Sequence, residues 1–368
     1  MSCIRLQRVL VGLSGGVDSA VAAAALLETG YKVGGLYIRN GFPVRGEEDA
    51  EAVAARLDIP LYKLDVSDEF RHEVVDYFVS EYLAGRTPNP CCVCNKKIKV
   101  HHLLDEAGKL GFNLVATGHY AREAYDADSR RYTLCRGIDT GKDQSYFLFM
   151  LGQQELENIL FPNGDKTKKE VRSKAQELGL GDRPFRDSQE ICFIPDDDYK
   201  RFIGQMRPDL KATSGSFVDR NGKILGRHRG IHSYTVGQRR GLNIASTAPY
   251  YVLEIDPEKN EVVLGREDEQ ASKGLVANAV SWVSGESMPD EGFEATTKIR
   301  YRHSGVESTV LPLSSAGGSL SPADLAAAGD RGVIVRFSSP QKAVTPGQAA
   351  VFYRGNCVLG GGWIVRGF

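Results

Sequence analysis

The sequence predicts an α/β fold with a doubly wound, mostly parallel sheet, followed by a small β-rich middle domain and a C-terminal β-barrel. Three observations predict it. Over roughly the first 120 residues, short apolar runs alternate with stretches of helical period, as βαβ units do. A glycine turn, Ser14-Gly15-Gly16, separates the first run from the first helical stretch. After about Arg207 the helical period gives way to short β-rich runs between turn signals.

Arg8 to Leu13 is the first strand, and Asp18 to Glu28 the first helix. Val33 to Ile38 is the second strand. Glu47 to Leu57 is helical, with Ala50, Val53, Ala54 and Leu57 on one face. Leu61 to Leu64 is the third strand, and Ser67 is placed to cap a helix running to Leu83. Pro88 and Pro90 predict a loop from Gly85 to Asn95. Lys96 to Leu110 is helical and Phe112 to Thr117 a fourth strand. Ligands on such a sheet bind outside the carboxyl ends of its strands. Residues 140–205 read as mostly helical, with Lys168 to Leu178 clearest. Ser216 to Val218, Tyr250 to Ile255, Glu261 to Leu264, Val333 to Phe337 and Ala349 to Tyr353 read as strands. Ser314 to Ala328, rich in Ser, Gly and Ala, reads as an exposed loop.

The 368 residues carry 46 Lys and Arg against 47 Asp and Glu. A uniformly basic nucleic-acid coat is excluded, though a local basic face is not. No run approaches the ~20 apolar residues of a membrane span, and the N-terminus has no cleavage pattern. The seven cysteines are Cys3, Cys91, Cys92, Cys94, Cys135, Cys192 and Cys357. Their spacing is not that of a secreted disulfide framework. It points to a reducing cytoplasm and to redox, metal or sulfur chemistry.

Two segments carry the chemistry. Ser14-Gly15-Gly16-Val17-Asp18-Ser19 lies between a strand and a helix. Two glycines let the backbone close on an anion, the helix start offers amides, and Ser14 and Ser19 add hydroxyls. Asp18 has the right charge to hold Mg²⁺ or to orient the loop. No Gly-Lys-Ser/Thr follows, so this is not a Walker A loop. The second segment, Gly85-Arg86-Thr87-Pro88-Asn89-Pro90, leads into Cys91-Cys92-Val93-Cys94-Asn95-Lys96. Lys96 and the helix start beside it would raise the thiolate fraction. Three cysteines in four residues are hard to explain as packing. Cys192, in Asp187-Ser188-Gln189-Glu190-Ile191-Cys192-Phe193-Ile194, taken alone reads as core.

The loop resembles that of the N-type ATP pyrophosphatases (PP-loop enzymes), which cleave ATP to AMP and pyrophosphate. The whole pattern resembles one of their families, the tRNA-specific 2-thiouridylases, nearly end to end. The shared segments include Ala116-Thr117-Gly118-His119-Tyr120, Gly141-Lys142-Asp143-Gln144-Ser145-Tyr146-Phe147, Gly237-Gln238-Arg239-Arg240-Gly241-Leu242, Arg300-Tyr301-Arg302 and Val344-Thr345-Pro346-Gly347-Gln348.

The resemblance implies a PP-loop catalytic domain over 1–206, a tRNA-contacting central domain over 207–274 and a barrel over 275–368. It implies that Gly12, Leu13, Ser14, Gly15, Gly16, Val17, Asp18 and Ser19 bind ATP with Mg²⁺, helped by Ile38 and Gly118. ATP would adenylate the uracil 2-oxygen. Cys192 would carry a persulfide supplied by a cysteine desulfurase or sulfur-relay protein. Cys94 would release sulfide from it, or resolve the disulfide after direct transfer. Asn89, Pro90 and Cys91 would face the target base. His119, Lys142, Asp143, Gln144, Arg300, Tyr301 and Gln348 would contact tRNA. Where well-studied members have an Asp, proposed as general base, this chain has Cys91, and its segment from Ile38 to Glu47 is shorter.

Two alternatives stand beside this reading. Cys91, Cys94 and Cys192 would supply three thiolates to an iron–sulfur cluster for the same reaction. A protein of another class would be an RNA-binding chain that has lost catalysis, against which the intact loop and cysteines argue. Three basic patches suit a folded RNA: six Arg or Lys and one acid from Asp219 to Gly241; Lys96, Lys97 and Lys99; and Lys298, Arg300 and Arg302 around Tyr301. No metal-ligand cluster is read in the sequence.

Overall fold

The computed structural model describes residues 7–42, 46–180, 191–209, 213–286, 288–316 and 321–368. Five parallel strands form the first sheet: β1 (Arg8–Gly12), β2 (Lys32–Arg39), β3 (Leu61–Asp65), β4 (Leu114–Ala116) and, further along the chain, Ile159–Leu160. Their spatial order is β3-β2-β1-β4 and then Ile159–Leu160. The order reverses at β1, which pairs with both β2 and β4, so the carboxyl end of β1 opens a crevice. Val9, Leu10 and Val11 are fully buried because helices cover both faces. Helix α1 (Val17–Glu28) buries an Ala-rich face, and α2 (Glu47–Leu57) turns in Ala50, Val53 and Ala54.

A hairpin that the sequence reading missed, β5 (Ala121–Asp126) and β6 (Arg131–Arg136), leaves this domain and joins the C-terminal sheet. The strand Ile159–Leu160 is β7; β8 (Gly215–Val218), β9 (Ile224–His228), β10 (Tyr251–Asp256) and β11 (Glu261–Gly265) make the middle sheet, in the order β10-β11-β8-β9. The remaining strands are β12 (Ala271–Trp282), β13 (Phe293–Lys298), β14 (Val306–Pro312), β15 (Val333–Lys342), β16 (Ala349–Arg354) and β17 (Cys357–Gly367). They run β12-β15-β14-β13-β16-β17, and β12 pairs back with β17, which closes a six-stranded barrel. β6 adds to β17 outside that ring, with Cys135 opposite Cys357. These two cysteines form a disulfide across 222 residues of chain. The sequence reading does not pair these two cysteines; the register of β6 on β17 sets their side chains against each other.

Other expectations change too. Pro90 does not keep the cysteines in a loop. It stands at the first position of the helix Pro90–Cys94, where its missing N–H costs nothing. The helix continues through a π turn, Asn95–Val100, into His101–Leu110. Ser67 caps nothing; its own N–H donates to Asp65 Oδ1 (3.0 Å). Residues 140–205 hold short turns, with longer helices only at Lys168–Glu177 and Tyr199–Met206 among the described residues. Part of the predicted Ser314–Ala328 loop is a helix, Pro322–Ala328, whose Asp324 pairs with Arg366. No helix among the described residues is long and apolar enough to cross a membrane.

Candidate active site

The anion loop follows β1. Gly15 has φ 78°, and a Cβ there would lie 2.6 Å from the Gly46 carbonyl oxygen, so the turn requires glycine. Gly16 is the N-cap of α1 and has no side-chain cap, which leaves the first turn of a twelve-residue helix to an anion. The Ser14 and Ser19 hydroxyls face each other at 3.3 Å, and the Ser14 N–H donates to Ser19 Oγ (3.2 Å). These groups fit a polyphosphate.

Asp18 is already engaged. The Tyr120 hydroxyl donates to its Oδ1 (2.7 Å), and Lys168 Nζ donates to both oxygens (2.7 and 2.8 Å). In this arrangement Asp18 orients the loop and positions a lysine; to hold Mg²⁺ it must exchange Lys168 for the ion. Asn163 Nδ2 donates to the Asp18 carbonyl (2.8 Å) and to the Gly118 carbonyl (3.1 Å), which clamps the end of β4 to the start of α1. Ile38 stands half-buried at the carboxyl end of β2. The structure thus brings Gly12 to Ser19, Ile38 and Gly118 to one edge of the sheet. Sequence reasoning missed Lys168 and Tyr120. Tyr120 lay in a quoted motif, but Lys168 is 150 residues from Asp18 and had no signal.

The cysteines divide by environment. Cys92 is fully buried in the apolar core, so this one is packing after all. Cys91 is half-buried, Cys94 buried and Cys192 exposed. Cys94, Ile98, Phe193 and Ile194 share one apolar cluster, so the segment carrying Cys192 packs on the Cys94 helix. Asp187 to Glu190 of the predicted motif lie outside the described residues. Burial pushes the Cys91 thiol up to about 11 and the Cys94 thiol up to about 12; the Lys99 ammonium pulls both back, less strongly. Burial therefore favours the thiol form of both. Lys96, expected to activate them, is held by Glu155 (2.5 Å) instead. Burial, then Lys99, holds the His119 imidazole down at about 3; it is neutral, with Nδ1 2.8 Å from the Thr117 hydroxyl.

Loop residues 85–89 are held from the barrel. Gln348 Nε2 donates to the Thr87 and Pro88 carbonyls (3.0 and 3.2 Å), and the Thr87 N–H donates to the Pro346 carbonyl (2.8 Å). Asn89 is the buried N-cap position of the cysteine helix, and Pro90 is its first residue. Tyr301 lies against Phe147, ring centroids 4.4 Å apart. Arg300 is exposed and Lys142 half-buried. Asp143 turns inward, accepting from the Ser145 N–H (3.0 Å) and hydroxyl (3.1 Å). Gln144 Oε1 accepts from the Tyr120 N–H (3.0 Å). Of the Lys96-Lys97-Lys99 patch, Lys97 also pairs with a carboxylate, Glu73 (2.5 Å), so two of the three charges are neutralised. Arg239 and Arg240 are exposed. Among the described residues no three His, Cys, Asp or Glu side chains are grouped to hold a metal, so Cys91, Cys94 and Cys192 are not arranged as cluster ligands.

Comparison with known proteins places this site in a family. Residues 7–196 match the family described as tRNA methyl transferase HUP domain. Residues 200–266 match the tRNA methyl transferase PRC-barrel domain, and residues 272–364 the Aminomethyltransferase beta-barrel domain. The chain is 54% identical over 338 residues to tRNA-specific 2-thiouridylase MnmA 2 of Syntrophus aciditrophicus, covering 90% of this chain and 98% of that one. It is 47% identical to the corresponding protein of Geotalea uraniireducens, covering 97% and 95%. For that of Carboxydothermus hydrogenoformans the identity is 45%, over the full length of both. Family models that together span most of the chain, with identity at this level along its length, mean that the protein belongs to the tRNA-specific 2-thiouridylase family.

Proposed function

We propose that the chain replaces the 2-oxygen of the wobble uridine of tRNA with sulfur, using ATP. The observation that carries this reading is the meeting of two chemistries: the anion loop follows β1, and the helical run that carries the cysteines packs on that same strand, with Val100 and Leu103 in one apolar cluster with Leu10 of β1 and Val115 of β4. ATP, with Mg²⁺ on its phosphates, supplies the activation: the uracil 2-oxygen takes the AMP group and pyrophosphate leaves. Ser14 to Ser19 hold the polyphosphate, with Ile38 and Gly118 bordering the nucleotide. Asn89, Pro90 and Cys91, fixed by Gln348, face the base. His119, Lys142, Asp143, Gln144, Arg300 and Tyr301 border the tRNA.

Cys192, the exposed thiol, receives a persulfide sulfur from a cysteine desulfurase or a sulfur-relay protein. Either Cys94 attacks that persulfide and frees sulfide, which displaces AMP from C2, or the terminal sulfur displaces AMP and Cys94 then attacks Cys192. Both routes leave a Cys94–Cys192 disulfide, and an external dithiol must reduce it. A site closed to water protects the adenylated base from hydrolysis. The domains divide at about 1–206, 207–274 and 275–368; Phe202 and Ile203 of the helix Tyr199–Met206 pack in the first domain's core. We place the protein in the cytoplasm, where its RNA substrate is. The domain descriptions name methyl transfer, but an adenylating loop beside two thiols is equipment for sulfur transfer.

The test is pyrophosphate release. It should require a tRNA with an unmodified wobble uridine and stop when that uridine is already thiolated. Release that ignores the tRNA would refute the reading.

A further inference from the structure

The cysteine helix carries Lys96, Lys97 and Lys99 within four residues, and they are not alike. Lys96 and Lys97 are each tied to a carboxylate. Lys99 has no carboxylate partner among the described residues. It reaches solvent, yet it is enclosed by enough protein for desolvation to be the largest influence on it. The titratable groups whose charge it feels or perturbs are Cys91, Cys94, Cys192 and His119. No carboxylate is among them.

The backbone explains how Lys99 comes to the thiols. Along an α-helix, position i+5 lies about 140° round from position i. The π turn Asn95–Val100 follows directly after Cys94. Its i→i+5 hydrogen bonding widens the turn and brings residue 99 back over residue 94. π turns inside helices recur at functional sites, and this one sets a lysine, Lys99, next to the Ile98 that packs with Cys94.

We propose that Lys99 is the positioning cation of the sulfur site, the fixed positive charge that receives the sulfur anion formed between Cys94 and Cys192. The proposal rests on the sulfur-transfer reading above for the identity of that anion, but not for the presence of the charge. In the resting protein burial outweighs Lys99 and keeps Cys91 and Cys94 protonated, which protects them from oxidation. Once a sulfur carries charge, Lys99 is the nearby group that compensates it.

The test uses the protein alone, without tRNA or ATP. Cys91 and Cys94 are alkylated with iodoacetamide across a pH series, and each is read by peptide mass spectrometry. Lys99→Met and Lys99→Gln remove the charge, and Lys99→Arg keeps it. Lys109→Met, on the same helical run and tied to Asp105 (2.7 Å), is the control. An opposite charge within ~4–6 Å lowers a pKa by about 1–3 units. Both neutral variants should therefore alkylate at least about tenfold more slowly at a fixed pH below the thiol midpoint, with Arg and the control near wild type. A second measurement needs no variant. In the wild type, the anionic reagent iodoacetate should gain on neutral iodoacetamide at Cys91, relative to free cysteine. Wild-type rates in the neutral variants, Lys99→Arg as slow as Lys99→Met, or a reagent ratio equal to that of free cysteine would each overturn the proposal. A failure of tRNA thiolation would instead count against the function reading and leave these results standing.

Discussion

Adding one methyl group at Gly118 tests how the end of β4 places the phosphate loop. A Cβ there would lie 2.6 Å from the Asp18 carbonyl carbon and 2.7 Å from the Ser19 amide nitrogen. Both are backbone atoms of the first turn of α1, so no flexible side chain can yield. The nearer contact is roughly 0.8 Å short of the 3.4 Å at which ordinary contact begins. Either α1 retreats or the end of β4 does. Asn163 resists both, because one amide binds the Asp18 and Gly118 carbonyls together. Overpacking of this kind costs about 1–3 kcal/mol. A shift approaching 1 Å in a site that must align reacting groups costs about 10²-fold in rate. Gly118→Ala should therefore lower kcat/KM for ATP in tRNA-dependent pyrophosphate release by about 30- to 100-fold. It should also lower the denaturation midpoint. A variant with wild-type release and an unchanged midpoint would refute the view that Gly118 is there to seat the loop.

Four further outcomes are expected. Cys94→Ser and Cys192→Ser should each abolish nucleoside thiolation yet leave pyrophosphate release, read in parallel on the same tRNA. Cys135→Ser should keep thiolation but lose stability, by about 2–4 kcal/mol for a long-loop disulfide, in urea titrations under oxidising conditions. His119 is neutral with a folded value near 3 against 6.5 unfolded, so the unfolded chain binds the extra proton first. Stability should fall as pH drops from about 6.5 towards 3, and His119→Gln should flatten that part of the pH–stability curve. Changing the exposed Arg239 and Arg240 together to Ala should weaken tRNA binding and reduce the log–log salt slope by roughly 0.7–0.9 for each tRNA phosphate that is no longer neutralised.

Local signals carried the first domain. Short apolar runs, helical spacing and the glycine turn located β1 to β4 and the phosphate loop, because each is written within a dozen residues. The joint occurrence of the motifs gave the sulfur chemistry. What failed was whatever depends on distant partners. β5 and β6 look like ordinary polar turns until β17 is there to pair with Cys135 and Leu134. Pro90 reads as a helix breaker, but at the first helical position it starts the helix. Cys92 cannot be told from Cys91 and Cys94 by spacing alone; the core packed around it makes it structural. Lys96 was assigned to the thiols because it is nearer in sequence. Glu155 holds it elsewhere, and a π turn delivers Lys99 in its place.

The most direct measurement is one turnover of persulfide-loaded protein, first stripped of iron with a chelator that is then removed, with ATP, Mg²⁺ and an unmodified tRNA transcript. Nucleosides are read by mass spectrometry, and AMP is counted in the same sample. The wobble uridine should exchange oxygen for sulfur, with one AMP for each thiolated nucleoside and with Cys94 and Cys192 recovered as a disulfide. A wobble uridine that stays unchanged while AMP accumulates, or thiolation that returns only when iron and sulfide are restored, would contradict that expectation.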